Sequence, residues 1–192
     1  MHREPLRQLL QAYRSANPSE APVADRILRL VDEHADCFER TCRPGHLTGS
    51  AWVVSCDGQR HLLLLHRKLG KWLQPGGHAD GDADLRSVAF REAEEETGLQ
   101  SLRVVTDAAG VEVLDIDVHV IPARYDAEGN LIDDAHEHHD IRFLLQAVGD
   151  DAVSLSDESH ALAWYTPNDL RKLTQEESVL RLLEKAEERL KR

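Results

Sequence analysis

Glu92, Glu95 and Glu96 recur at i, i+3 and i+4, a spacing that puts three carboxylates on one face of a helix. At about 100° per residue their stripe continues one begun by Leu85, Val88 and Ala89, whereas Glu94 falls on the opposite side. A solvated acidic face should lie opposite the apolar one, so a stripe that changes from aliphatic to carboxylate aims its charges into a pocket. Carboxylates this close repel one another, which raises their proton affinity and weakens the helix unless cations sit among them. The natural cation is Mg2+ or Mn2+, because hard divalent ions choose carboxylate, carbonyl and water oxygens, and Mg2+ keeps positions open for phosphate. A Glu-rich exposed helix held by Arg86 and Arg91 is the competing reading of the same spacing.

The residues flanking this helix favour the pocket. Pro75-Gly76-Gly77 ends an extended segment in a turn that brings backbone carbonyls and amides near the helix, and Gly98 suits a left-handed helix end. With these in place the segment resembles the Nudix box, G-x5-E-x7-R-E-U-x-E-E-x-G-U, in which U is aliphatic. Gly77 takes the first glycine, Arg91 and Glu92 the Arg-Glu pair, Ala93 the first aliphatic position, Glu95 and Glu96 the Glu pair, and Gly98 and Leu99 the close. One position departs: the first Glu falls on Ala83, between Asp82 and Asp84. In the family that Glu supports the geometry around the metal ligands, so its role either passes to a neighbouring aspartate or is absent.

The resemblance implies an α/β Nudix fold, a mixed sheet sandwiched between helices, and a Mg2+- or Mn2+-dependent hydrolase. Its substrate would be a nucleoside diphosphate linked to another moiety, cut at the diphosphate linkage. Glu92, Glu95 and Glu96 are the implied metal ligands, with the Gly77 carbonyl a further one. Arg91 would orient a box carboxylate through a charge-assisted bond. Glu92 or Glu95 within the box, or Glu137 outside it, would take the proton from water. Arg67, Lys71 and His78 are the candidates for contacting substrate, although a surface loop around Gly70 explains the two basic residues equally well. Two other functions fit the same fold: a nucleotide-binding regulator without turnover, favoured by Ala83, and a diphosphate-ester isomerase, for which Cys56 is the nearest cysteine.

The totals bound the partners. With 192 residues and 41% hydrophobic content the chain can bury a sizeable core, and we expect a helical extension over residues 1–45 before one domain over 46–192. A net charge of −12 argues against nucleic-acid backbones, though not against a small nucleotide whose phosphates meet a metal ion. No run is long enough for a transmembrane helix and the start has no signal-peptide core, which points to a cytoplasmic protein with reduced cysteines. His34, Cys37, Cys42 and His46 are zinc-like in type, but their spacing matches no compact finger.

The elements that must position the box follow from periodicity. Leu6, Leu9, Leu10 and Tyr13, then Val23, Ile27, Leu30 and Val31, mark two helices broken at Asn17-Pro18; they cover the core, cap the pocket or form a homodimer surface. A strand over residues 46–54, a turn at Asp57-Gly58 and a strand over 61–66 precede the glycine turn. Strands over 102–106 and 111–122 lead to a long loop over 124–136, then to Glu137-His138-His139-Asp140 at the mouth of a strand over 141–148. His136, His138 and His139 are candidates for a transition metal or for phosphate. Asp157, Glu158 and His160 precede a strand over 161–165 in a loop that could line the pocket, a helix starts at Thr166-Pro167, and Thr174 and Glu177 have capping-box spacing before the last helix.

Overall fold

The computed structural model describes residues 2–155 and 159–191. Two amphipathic helices, α1 (Glu4–Ala16) and α2 (Ala21–Glu33), open the chain and are joined by a 3-10 turn over Pro18–Glu20. Ten strands and three helices follow: β1 (Gly45–Val54), β2 (His61–His66), β3 (Trp72–Leu73), β4 (Gly76–His78), α3 (Leu85–Thr97), β5 (Leu102–Val104), β6 (Val113–Ile121), β7 (Arg124–Tyr125), β8 (Leu131–Asp133), β9 (His136–Ala147), β10 (Ser159–Tyr165), α4 (Pro167–Leu173) and α5 (Glu177–Leu190). The main sheet runs β10-β2-β1-β9-β5, with β3 beside β2, β4 beside β1 and β6 beside β9. Its central pair, β1 and β9, is parallel and in register from Gly45↔Glu137 to Val54↔Gln146, whereas β4, β6 and β2 join antiparallel. A strand covered on both faces needs side chains that tolerate burial on both; every residue of β1 is buried.

The two faces are distinct. Leu47, Ala51 and Val53 of β1 and Ile141, Phe143 and Leu145 of β9 pack against α1, α2 and α3, with Leu10, Tyr13, Ile27 and Val88 in the same cluster. Trp52, Val54 and Leu144 turn the other way and pack under α4 and α5, against Leu170, Val179, Leu182 and Leu183. Gly49 lets α3 approach the sheet, since a Cβ there would lie 2.7 Å from the Leu85 carbonyl oxygen.

Three expectations are corrected. Residues 124–136 are not one open loop: β7 and β8 pair as a hairpin whose turn is tied by Asp126, which accepts from the Asn130 amide at 2.7 Å. β9 starts at His136, so Glu137 to Asp140 belong to a strand and alternate between the faces. The Thr174 and Glu177 capping box does not form, because Thr174 ends α4 in an extended conformation and its hydroxyl accepts from the Glu176 amide at 3.1 Å. Asp157 and Glu158 lie outside the described residues. Among the described residues no helix is long and apolar enough to cross a membrane.

Candidate active site

β4 brings the glycine turn to β1 in the register Thr48↔His78, Gly49↔Gly77 and Ser50↔Gly76. Directly paired residues share a face of the sheet, so Gly77 and Gly49 look toward α3, and Gly76 and His78 look away from it. On the α3 side the Glu92 carboxylate occupies the space that a Cβ on Gly77 would fill. The Gly76 amide donates to Glu96 Oε2 at 3.0 Å. Arg91 Nη2 donates to Glu92 Oε1 at 3.0 Å and to the His78 carbonyl oxygen at 3.2 Å, tying the helix to the strand. Asp84 caps the helix by accepting from the Arg86 and Ser87 amides, and Gly98, with φ of 74°, ends it. Two of the three carboxylates of the stripe, Glu92 and Glu96, thus lie against the glycine turn. Glu96 is 9% exposed, Glu92 is half-buried, and Glu95 stands at the solvent edge with no bond to its carboxylate among the described residues.

Glu137 is not brought to this group. It pairs with Gly45, four residues along β1 from Gly49, which at strand rise is roughly 13 Å away. Its carboxylate is engaged by Arg26 and, at 3.2 Å, by His139 Nε2. Lys71 is paired with Glu176 at 2.8 Å, and Arg67 is exposed in the turn after β2. Cys56 is exposed beyond the Val54 end of β1, away from the glycine turn. The position of the missing Glu, Ala83, packs its methyl against the core; beside it Asp82 accepts from the Asp84 amide at 2.9 Å, and Asp84 is the helix cap.

The opposite face holds groups that the spacing did not join. His46 and His138 are paired across β1 and β9, and His119 is paired with His138 across β6. His78 and His136 close on the same point, with ring centroids 5.1 and 5.0 Å from that of His46. Burial, then the neighbouring His78 and His136, lowers the His46 pKa to about 4. Burial also lowers those of His138 and His78. His139, expected with His136 and His138, points to the other face by strand alternation. The zinc-like quartet is likewise divided, since His46 joins these imidazoles while Cys37 and Cys42 are buried in the core under α1 and α2. The signal available was period two: His46 on a strand, and His136 and His138 two apart.

Below these rings runs a buried ionic ladder. Asp140, 3% exposed, accepts from the Thr48 and Ser50 hydroxyls at 2.9 Å and from Arg142 Nε at 2.7 Å. Arg142 also reaches Asp115 and Asp117, both at 3.1 Å, and α5 supplies Arg181 and Lys185 to the same aspartates. Burial alone would raise the pKa of Asp115, but the Arg181 hydrogen bond and the charges of Lys185 and Arg142 outweigh it and hold the carboxyl below its usual range.

Comparison with known proteins supplies the family. A profile of the NUDIX domain matches residues 46–185, leaving α1 and α2 outside it. A hydrolase of the NUDIX family from Clostridium perfringens is similar in structure at 25% identity, with a TM-score of 0.55, covering 76% of this chain and 97% of that one. An Ap4A hydrolase from C. elegans shares the fold at 22% identity and a TM-score of 0.53, again covering 76% and 97%. A MutT protein from Methanosarcina mazei Go1 does so at 21% identity and 0.51, covering 76% and 95%. The chain belongs to the NUDIX family.

Proposed function

We propose that the Gly76-Gly77 turn and the Glu92, Glu95 and Glu96 face of α3 bind Mg2+ or Mn2+ and hydrolyse the diphosphate linkage of a nucleoside diphosphate joined to another moiety. The observation that carries this reading is the closure of the turn on the helix, with Glu92 beneath Gly77, Glu96 on the Gly76 amide, and Arg91 bridging Glu92 to the His78 carbonyl. The donor set is of the type a hard divalent ion takes: it is all oxygen, three carboxylates and the Gly77 carbonyl. When bound, the ion would neutralise phosphate oxygens and favour attack by water.

The chain's own residues do the rest. Arg91 holds the Glu92 carboxylate in one orientation, and the Gly76 amide does the same for Glu96. Glu95, at the solvent edge, is the group best able to take a proton from water, with Glu92 second. Glu137 is the weaker candidate because Arg26 and His139 already engage it and it lies far along the sheet. A small nucleotide derivative suits a chain of net charge −12 better than a polyanionic strand does.

The test is phosphate release from a panel of nucleoside diphosphate derivatives, with Mg2+ or Mn2+ and a coupled phosphatase, on wild type and on Glu95→Gln and Glu96→Gln. Turnover of a panel member that both variants lose is the expected result. The second reading, a regulator that binds without cleaving, is favoured by Ala83, with Asp82 and Asp84 beside it both accepting from backbone amides at the start of α3. A ligand-dependent rise in Tm without turnover of any panel member would put that reading first.

A further inference from the structure

The chemistry above uses one face of β4 and leaves the imidazoles on the other face without a task. We infer that His46, His136 and His138 form a second metal site, for a divalent transition ion of the zinc class, with His78 completing a set of four imidazoles. Nitrogen atoms of His46, His136 and His138 lie within 4.8 Å of one another. Bonds of about 2.0–2.1 Å to a tetrahedral ion put such nitrogens about 3.4 Å apart, a difference that small side-chain rotations close. His78 stands beside them, its ring centroid 4.9 Å from that of His138.

His46 makes the strongest argument. It is 2% exposed, and neither of its ring nitrogens has a hydrogen-bond partner among the described residues. Buried polar groups are ordinarily satisfied, and one left alone is an uncompensated cost. His61, on the same face of the sheet, shows how this protein treats a histidine that is merely packed: its Nδ1 accepts from Trp52 Nε1 at 2.8 Å. His46 has no such partner; an ion among the three rings would supply one.

The surroundings match a ligand set. His136 Nδ1 donates to the Asp134 carbonyl oxygen at 2.8 Å, and since a carbonyl only accepts, the proton is on Nδ1 and Nε2 keeps its lone pair. That outer bond is the kind that orients metal-binding histidines. The carboxylates of Asp133 and Asp134, which also come close to His136, are both engaged by Arg43. Imidazole nitrogens suit Zn2+, Co2+, Ni2+ or Cu2+ and not Mg2+, so the two faces of β4 select different ions. Because His78 follows Gly77 and its carbonyl holds Arg91, an ion on this face braces the turn that carries the box.

The full chain, stripped with chelator and dialysed, is titrated with Co2+ while visible absorption is followed, and Zn2+ and then Mg2+ are added as competitors. One Co2+ per chain is expected, with the bands of a nitrogen-rich tetrahedral site, displaced by Zn2+ and not by excess Mg2+. His46→Gln and His138→Gln should weaken binding by about tenfold or more while Glu96→Gln leaves it unchanged. Circular dichroism checks the fold, and His138→Gln, at a half-buried position, carries the test if His46→Gln does not fold. The inference is overturned if folded wild type takes up no Co2+, or if uptake persists in His138→Gln and disappears in Glu96→Gln.

Discussion

Gly77 and His78 are neighbours in one short strand, yet they serve opposite faces of the sheet and opposite chemistries. Toward α3 the donors are carboxylate oxygens, and each buried one has a fixed partner: Arg91 for Glu92, the Gly76 amide for Glu96. Away from α3 the donors are imidazole nitrogens, and the most buried of them has no hydrogen-bond partner among the described residues. The first arrangement is pre-oriented and charged, which suits a hard ion and a phosphate. The second is made of imidazoles, of which burial lowers the pKa of His46 to about 4 and that of His138 also, and it suits a borderline ion. Alternation along a strand is enough to keep two such sites apart at the distance of one residue.

Breaking the carboxylate face alone should have the largest effect. Glu92→Gln removes a charged ligand and the partner of Arg91 together, and kcat/KM for the substrate found by the panel is expected to fall about 10³-fold. Co2+ titration of the same variant should be unchanged; a parallel loss would mean that the faces are one site. The ladder beneath the imidazoles is the next test. Asp140→Ala strips Arg142, 3% exposed, of its Nε partner, and urea unfolding should show a loss of about 3 kcal/mol.

A histidine with a partner sharpens the contrast with those that lack one. Burial lowers the His61 pKa to about 4 against 6.5 in an unfolded chain, so the unfolded state binds the extra proton and stability falls as pH drops from 6.5 toward 4. At 1.36 kcal/mol per unit the wild type should lose about 3 kcal/mol more than His61→Gln across that window, measured by denaturant unfolding at each pH. The smallest change concerns the turn itself. Gly77→Ala puts a methyl where the Glu92 carboxylate lies, and the displacement should lower kcat about 10²-fold with little change in Tm.

Much of the carboxylate face was legible in the sequence because helical spacing and the glycine turn are local signals. Leu85, Val88, Ala89, Glu92 and Glu96 lie within a few turns, and their angular order alone foretold a stripe running from core to site. The imidazole face was not legible for the opposite reason. His46, His78, His119 and His138 come from four strands, and it takes the β1–β4, β1–β9 and β6–β9 registers to bring them together. Expecting a loop over residues 124–136 hid the start of β9, and with it the alternation that separates His138 from His139. Asp140 and Arg142 were missed similarly: charged residues in a strand look solvent-facing until α5 is known to lie over this face, with Ser178 on Arg142 and Arg181 and Lys185 on Asp115.

The parallel register of β1 on β9 also bears on how such a chain can change over generations. Point substitutions on β1 alter one face at a time, but a deletion or insertion of a single residue within it would turn every later side chain to the opposite side. The imidazole and hydroxyl of His46 and Ser50 would then sit under α3, and Leu47 and Ala51 would meet Asp140 and Arg142. Length variation in related chains should therefore collect at the exposed turns near residues 57–60 and 126–130, leaving the span from Gly45 to Val54 constant in length even where its letters differ.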